Sequence, residues 1–116
     1  MPNQRTQARH EMSIYLEVRD AGSGNSVGHV VDLTTQGMRM VAEQPFETSA
    51  TYQLLIATDI GPAGDTTIPV TAVCTWAGLD VNPDLHAAGF KFGPLPPRDE
   101  AALARVIRQH RFEHSR

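Results

Sequence analysis

Apolar and polar residues alternate along most of this chain with the two-residue period of half-buried strands. In "MSIYLEVRD", residues 12–20, Ile14, Leu16 and Val18 share one face, and Tyr15, Glu17 and Arg19 share the other. "AGSGN" reads as a turn. "SVGHVVDL" (26–33) and "GMRMVA" (37–42) read as a second and third strand, "QPFETSA" as a loop, and "TYQLLIA" (51–57) as a fourth strand. "GPAGD" is a further turn. "TTIPVTAVCTWAG" (66–78) is a long fifth strand, on which strict alternation puts Ile68, Val70, Ala72, Cys74 and Trp76 together on the core face. Pro69 lies near its start, where a missing N–H is tolerated, and suggests an edge. "LHAAGFKF" (85–92) is the sixth strand, with Phe90 and Phe92 inward and Lys91 outward.

"GPLPP" then stops the strand pattern, and the spacing predicts a helix over about 98–112. Pro97 suits its first turn. Asp99 and Glu100 suit the positive N-terminal end, and Arg108 and Arg111 the negative C-terminal end. Leu103, Val106 and Ile107 form a narrow apolar stripe. Six short antiparallel strands followed by one helix predict an all-β fold, a six-stranded β-barrel with a C-terminal helix laid against it.

Composition narrows the function. A chain of 116 residues is one domain by size, with a charged fraction of 20% and a hydrophobic fraction of 41%, as in soluble proteins. No apolar run approaches the roughly 18 residues of a membrane span, and the first residues lack the apolar region of a signal peptide. The expectation is a cytoplasmic protein without membrane contact. The single cysteine, Cys74, has no internal disulfide partner and reads as a buried, inert thiol.

The net charge of −3 conceals an asymmetry. Residues 1–10 carry Arg5 and Arg9 and no acid, whereas residues 11–97 carry three basic groups against ten acids. So acidic a body argues against broad nucleic-acid binding, which needs a basic face. A small barrel for single strands would also want exposed aromatics over a basic groove, and the chain has seven aromatics in all. A few placed arginines still suit a small anion.

Two motifs supply such a site. "DLTTQG" (32–37) puts an acid, a hydroxyl and a glycine where the strand alternation breaks, in the pattern D-x-T-x-x-G. "RTQAR" (5–9) is an R-x-x-x-R pair ahead of the first strand, 23 residues earlier counted from Arg9 to Asp32. Together with the strand order and the closing "GFKF", they resemble the PilZ domain family, whose pattern is R-x-x-x-R followed by [D/N]-x-S-x-x-G. The resemblance covers about residues 5–112 and departs from the family pattern at Thr34, where the family has serine. It implies a six-stranded barrel with a C-terminal helix and a ligand, cyclic di-GMP, which is a bacterial second messenger. It further implies that Arg5 and Arg9 clamp phosphate and guanine while Asp32, Thr34 and Gly37 hold a base against the barrel.

Elementary chemistry agrees. Guanidinium groups pair bidentately with phosphate oxygens and guanine edges, and their flat faces stack on bases. A carboxylate at Asp32 accepts from guanine N1–H and the 2-amino group. Thr34 keeps a hydroxyl, and Gly37 lets the backbone approach without a Cβ. Arg39, outward between Met38 and Met40, reads as a surface residue or a phosphate contact. Trp76 reads as a core or barrel-mouth residue, or else as a ring lining the site.

No nucleophile–base pair, carboxylate pair or phosphate-cradling loop is apparent, so no catalytic residue is assigned and no enzyme is expected. His110 and His114 are four apart on the helix, but no third ligand lies near them in sequence, so no metal and no cofactor are expected. The division expected is a flexible arm over residues 1–12 and a barrel over 13–116. The function expected is a cyclic di-GMP receptor that changes conformation on binding and signals to an effector protein, as a monomer or homodimer. The alternative is an adaptor that binds no nucleotide.

Overall fold

The computed structural model describes residues 16–58 and 66–114. Six antiparallel strands follow one another: β1 (Leu16–Asp20), β2 (Ser26–Leu33), β3 (Gly37–Ala42), β4 (Thr51–Thr58), β5 (Thr66–Leu79) and β6 (His86–Phe92). One helix, α1 (Pro97–His114), comes after them. The strands close into a barrel in the order β1-β2-β3-β6-β5-β4, with β4 returning to β1. The fold is thus the six-stranded antiparallel barrel with a C-terminal helix that the alternation predicts.

Closure follows from the pattern. A two-residue period buries one face of every strand, and rolling the sheet shut hides that face and leaves no full-length edge. The interior is filled by Val18, Met40, Leu54, Ile56, Ile68, Ala72, Cys74 and Ala88, all at most 1% exposed. Phe90 lies among them and meets Phe46 and Tyr52 edge-to-face, with ring centroids 5.1 and 5.8 Å away. The Tyr52 hydroxyl accepts from the Glu47 N–H at 2.9 Å, which ties the β3–β4 loop down over this trio.

α1 carries its acids, Asp99 and Glu100, in its first turn. Its stripe is used as the spacing suggests: Leu103 and Val106 are fully buried in the same core, with Ile107 and Ala102 packed beside them. No helix among the described residues is long and apolar enough to cross a membrane.

The seam between β4 and β5 runs without a slip from Thr51↔Val73 to Thr58↔Thr66. Pro69 lies in this stretch, opposite Leu55. Pairing with β6 begins only at Ala72, so Pro69 sits where β5 has one neighbour and a missing N–H is harmless.

Candidate functional site

Three other seams do slip: β1–β2 between Val18 and Arg19, and two more, which place the site. On β2, Val30 pairs Met40 but the next partnered residue, Asp32, pairs Arg39, which leaves Val31 as an inserted residue. On β5, Cys74 pairs Phe90 and Trp76 pairs Gly89, which leaves Thr75 inserted. Each β-bulge shifts the alternation by one, so every side chain beyond it changes face. Gly28 and Val30 face the core, and unbroken alternation would send Asp32 there too; the bulge puts it outside, exposed. Cys74 is fully buried, and the bulge puts Trp76 outside, 44% exposed. The expectation that Trp76 shares the core face with Ala72 and Cys74 is therefore corrected: alternation holds up to Cys74 and fails at Thr75.

The two slips produce one outward row across four neighbouring strands. Asp32 on β2 pairs Arg39 on β3, Arg39 pairs Gly89 on β6, and Gly89 pairs Trp76 on β5. An acid, a guanidinium, a bare backbone and an indole thus stand side by side on the barrel wall. The indole lies across the glycine: a Cβ on Gly89 would stand 2.1 Å from Trp76 Nε1. Asp32 and Arg39 face one another across the strands, yet among the described residues neither forms an ion pair with the other.

An open depression of about 270 Å³ runs along this row, lined by Asp32, Thr34, Arg39 and Trp76, with Thr75 and Gly89 between them. Leu33, Gly37, Met38 and Phe90 complete its floor. The site is built on the aromatic trio, because Phe90 belongs to both. The bulge beneath Trp76 is pinned from two sides. Thr75 Oγ1 donates to the Gly89 carbonyl at 3.2 Å. The β3–β4 loop holds Cys74, whose N–H donates to the Ala50 carbonyl and whose carbonyl accepts from the Ser49 N–H, at 2.9 and 2.7 Å. Ser49 adopts a left-handed backbone, φ 75°, to make that contact.

The β2–β3 turn forms the rim. Thr34 N–H donates to the Gly37 carbonyl at 2.9 Å. The Thr34 hydroxyl accepts from the N–H groups of Gln36 and Gly37, each at 3.1 Å, and donates to the Gly37 carbonyl at 3.3 Å. One donor and two lone pairs are all a hydroxyl has, so Thr34 is committed to shaping the turn. Gly37 has a reason in the barrel itself: a Cβ there would stand 2.2 Å from the Phe90 carbonyl oxygen on β6. The Asp32 carboxylate takes no hydrogen bond among the described residues and is left open to the depression.

A family model, the PilZ domain, matches residues 3–109. The chain belongs to the PilZ domain family. No curated protein matches its sequence. Among solved structures it is similar to the inhibitor of motility MotI/DgrA of Bacillus subtilis, with a TM-score of 0.73 and 14% identity over 88% of this chain and 49% of that one. It is also similar to the PilZ domain of YcgR from Escherichia coli, solved with c-di-GMP, with a TM-score of 0.56 and 16% identity over 85% of this chain and 82% of that one. The chain therefore spans about half the length of MotI/DgrA. At these identities the likeness is one of fold.

Of the PilZ motif residues, Asp32, Thr34 and Gly37 meet in one rim, and Arg39 and Trp76 join them along the row. Arg5 and Arg9 fall within the matched residues. They lie outside the described ones, like the arm expected over 1–12, the turn at 61–65 and the side chains of His110 and His114. Sequence reasoning missed Thr75, Gly89 and the floor residues Leu33, Met38 and Phe90. Signals for them exist. Strict alternation carries an aspartate, Asp32, into the core, which itself argues for a slip before it. A glycine inside the apolar strand "HAAGFKF" marks a close approach.

Proposed function

We infer that the chain is a cyclic di-GMP receptor that relays the nucleotide's presence to a partner protein. The observation that carries this reading is the outward row Asp32–Arg39–Gly89–Trp76 under the rim of Thr34 and Gly37. Each member offers one thing the nucleotide needs. Trp76, half exposed and flat over Gly89, is a face on which a guanine stacks. The open Asp32 carboxylate accepts from N1–H and the 2-amino group of that base. Arg39 stands between them as a phosphate donor. Thr34 holds the turn that keeps Asp32 in place. Membership of the PilZ family and the c-di-GMP in the YcgR structure support the same ligand.

In this reading Arg5 and Arg9 complete the site from the N-terminal side. They come onto the nucleotide when it binds, pairing with phosphate and guanine. That draws residues 1–12 onto the barrel wall and changes the charge and shape presented to an effector. The nucleotide shifts the equilibrium only because it contacts the arm in the closed arrangement and not in the open one. The role is binding and relay, with no chemical step, no cofactor and no metal, in a cytoplasmic protein.

Isothermal titration with cyclic di-GMP tests the reading, run in parallel on the wild type and Arg9→Ala. The expected result is micromolar or tighter binding in the wild type and a loss of about 100-fold in the variant, near 2.7 kcal/mol. Absence of heat in the wild type at two temperatures would reject the nucleotide. It would leave the adaptor that binds none, which the full internal commitment of the Thr34 hydroxyl favours.

A further inference from the structure

β5 is 14 residues long, but β4 lies beside only its first part, Thr66–Val73. Cys74 is met on that side by the β3–β4 loop. From Thr75 to Leu79 the strand has β6 on one side, and among the described residues nothing pairs with the other. Hydrogen bonding in an antiparallel ribbon alternates from one edge to the other. Asp80 N–H donates to the Leu85 carbonyl, across the ribbon. The N–H and C=O of Leu79, and those of Ala77 two residues earlier, therefore point to the open edge.

An open edge is a template for another strand, and proteins usually blunt one with Lys, Pro or a cover. The segment "TWAGL" (75–79) has neither charge nor proline. Apolar side chains gather around it: Trp76, Leu79 and, on the adjoining turn, Val81 are 44%, 66% and 98% exposed. That turn is ordered. Asp80 Oδ2 accepts from the Asn82 N–H and Asn82 Oδ1 from the Asp84 N–H, at 3.3 and 3.0 Å.

We propose that this edge is a dimer interface, at which Ala77–Leu79 pairs antiparallel with the same segment of a second copy, across a two-fold axis at Gly78. The self-complementary geometry selects a second copy as the occupant. Outward groups at Ala77 and Leu79 are all used when Ala77 lies opposite Leu79 of the second copy, which with the twin pair makes four hydrogen bonds; an axis at Ala77 or Leu79 would set only one of these outward residues against its own copy. This register sets a large apolar side chain against a small one twice over on one face. On the other face Gly78 meets Gly78 of the second copy at the close, non-hydrogen-bonded spacing. Space above Gly78 is open, since a Cβ there would have nothing within 4 Å. The acids Asp80 and Asp84 do not oppose each other in this register. Isologous contacts of this kind close at two copies. The pairing is independent of any nucleotide, and the patch is small, so association with a Kd on the order of 10–100 µM is expected.

Sedimentation velocity from about 10 µM to 1 mM spans that range and reads the oligomer without nucleotide. The wild type is expected to shift from monomer to dimer as concentration rises. Gly78→Glu is expected to stay monomeric with unchanged circular dichroism, because the open space over Gly78 accepts the side chain while two carboxylates on the axis repel. Gly78→Cys is expected to cross-link under mild oxidation far more than Lys91→Cys, an exposed control away from the edge. A wild type that is monomeric throughout would overturn the proposal and leave the edge to a strand of a different protein. A dimer that survives Gly78→Glu would overturn it too, and would move the contact to another face.

Discussion

The two halves of β5 make different things from similar sequence. "TTIPVTAV" runs against β4 through an unbroken register and buries Ile68, Val70 and Ala72. "CTWAGL" begins with a slip, loses β4 as a neighbour and turns its tryptophan to solvent. Regular pairing keeps each apolar side chain in the core and supplies stability. One inserted residue gives up a core position and gains a half-exposed indole on the wall, lying across Gly89. β2 repeats the device with Val31 and an aspartate. On the proposed reading, stability and recognition occupy different stretches of the same strands, and substitutions should separate them.

The regular half should show its role most strongly. Ile56 is fully buried opposite Ile68. Ile56→Ala is expected to lower stability by about 3–4 kcal/mol, measured by urea unfolding, while nucleotide affinity below the midpoint stays within about twofold of wild type. Trp76→Ala is expected to do the reverse. Affinity should fall by about 10- to 100-fold while unfolding free energy changes by less than about 1 kcal/mol, because the ring is half exposed. Equal losses of stability from the two substitutions would erase the contrast.

Gly89→Ala sharpens it further. A Cβ there displaces the indole, not the barrel backbone, so affinity should drop about 10-fold with a stability loss near 1 kcal/mol. Gly37→Ala meets the Phe90 carbonyl and should cost about 2–3 kcal/mol of stability as well. Thr34 gives a smaller effect. Thr34→Val leaves the Gln36 and Gly37 N–H groups without their acceptor, at about 1 kcal/mol and a few-fold in affinity. Thr34→Ser keeps the acceptor and should lie within about 0.5 kcal/mol of wild type.

The smallest effect is one of pH. Burial pushes the Cys74 thiol above its ordinary range. The folded chain therefore keeps a proton that the unfolded chain releases in alkali. This contribution is intact below the unfolded thiol's pKa and is lost as pH rises through it towards the folded value. Unfolding between pH 7 and 10 should show a Cys74-dependent decline, absent in Cys74→Ala. In the folded protein at neutral pH a thiol reagent should react with Cys74 slowly.

Strands β3 and β4 and the helix stripe were legible because alternation and 3.6-residue spacing report burial directly, and there burial was regular. The motif residues Asp32, Thr34 and Gly37 were legible as a group because they interrupt a strand. The face of Trp76 was not legible, since period-two reasoning has no term for an inserted residue. A bulge arises from the fit between two strands distant in sequence, here Thr75 against Gly89. Gly37 was read for its freedom near a ligand, whereas β6 passes too close to it for any Cβ. That crowding is a tertiary fact and leaves only the letter G in the sequence.

Trp76 is the single tryptophan of the chain, so its fluorescence reports on the site alone. The decisive measurement is a titration of that emission with cyclic di-GMP, with GMP as the control nucleotide. The account predicts saturable quenching by cyclic di-GMP with the calorimetric affinity, weakened in Asp32→Asn and lost in Arg9→Ala. Binding by calorimetry with no change in the emission would place the nucleotide elsewhere on the barrel and contradict the assignment of the outward row.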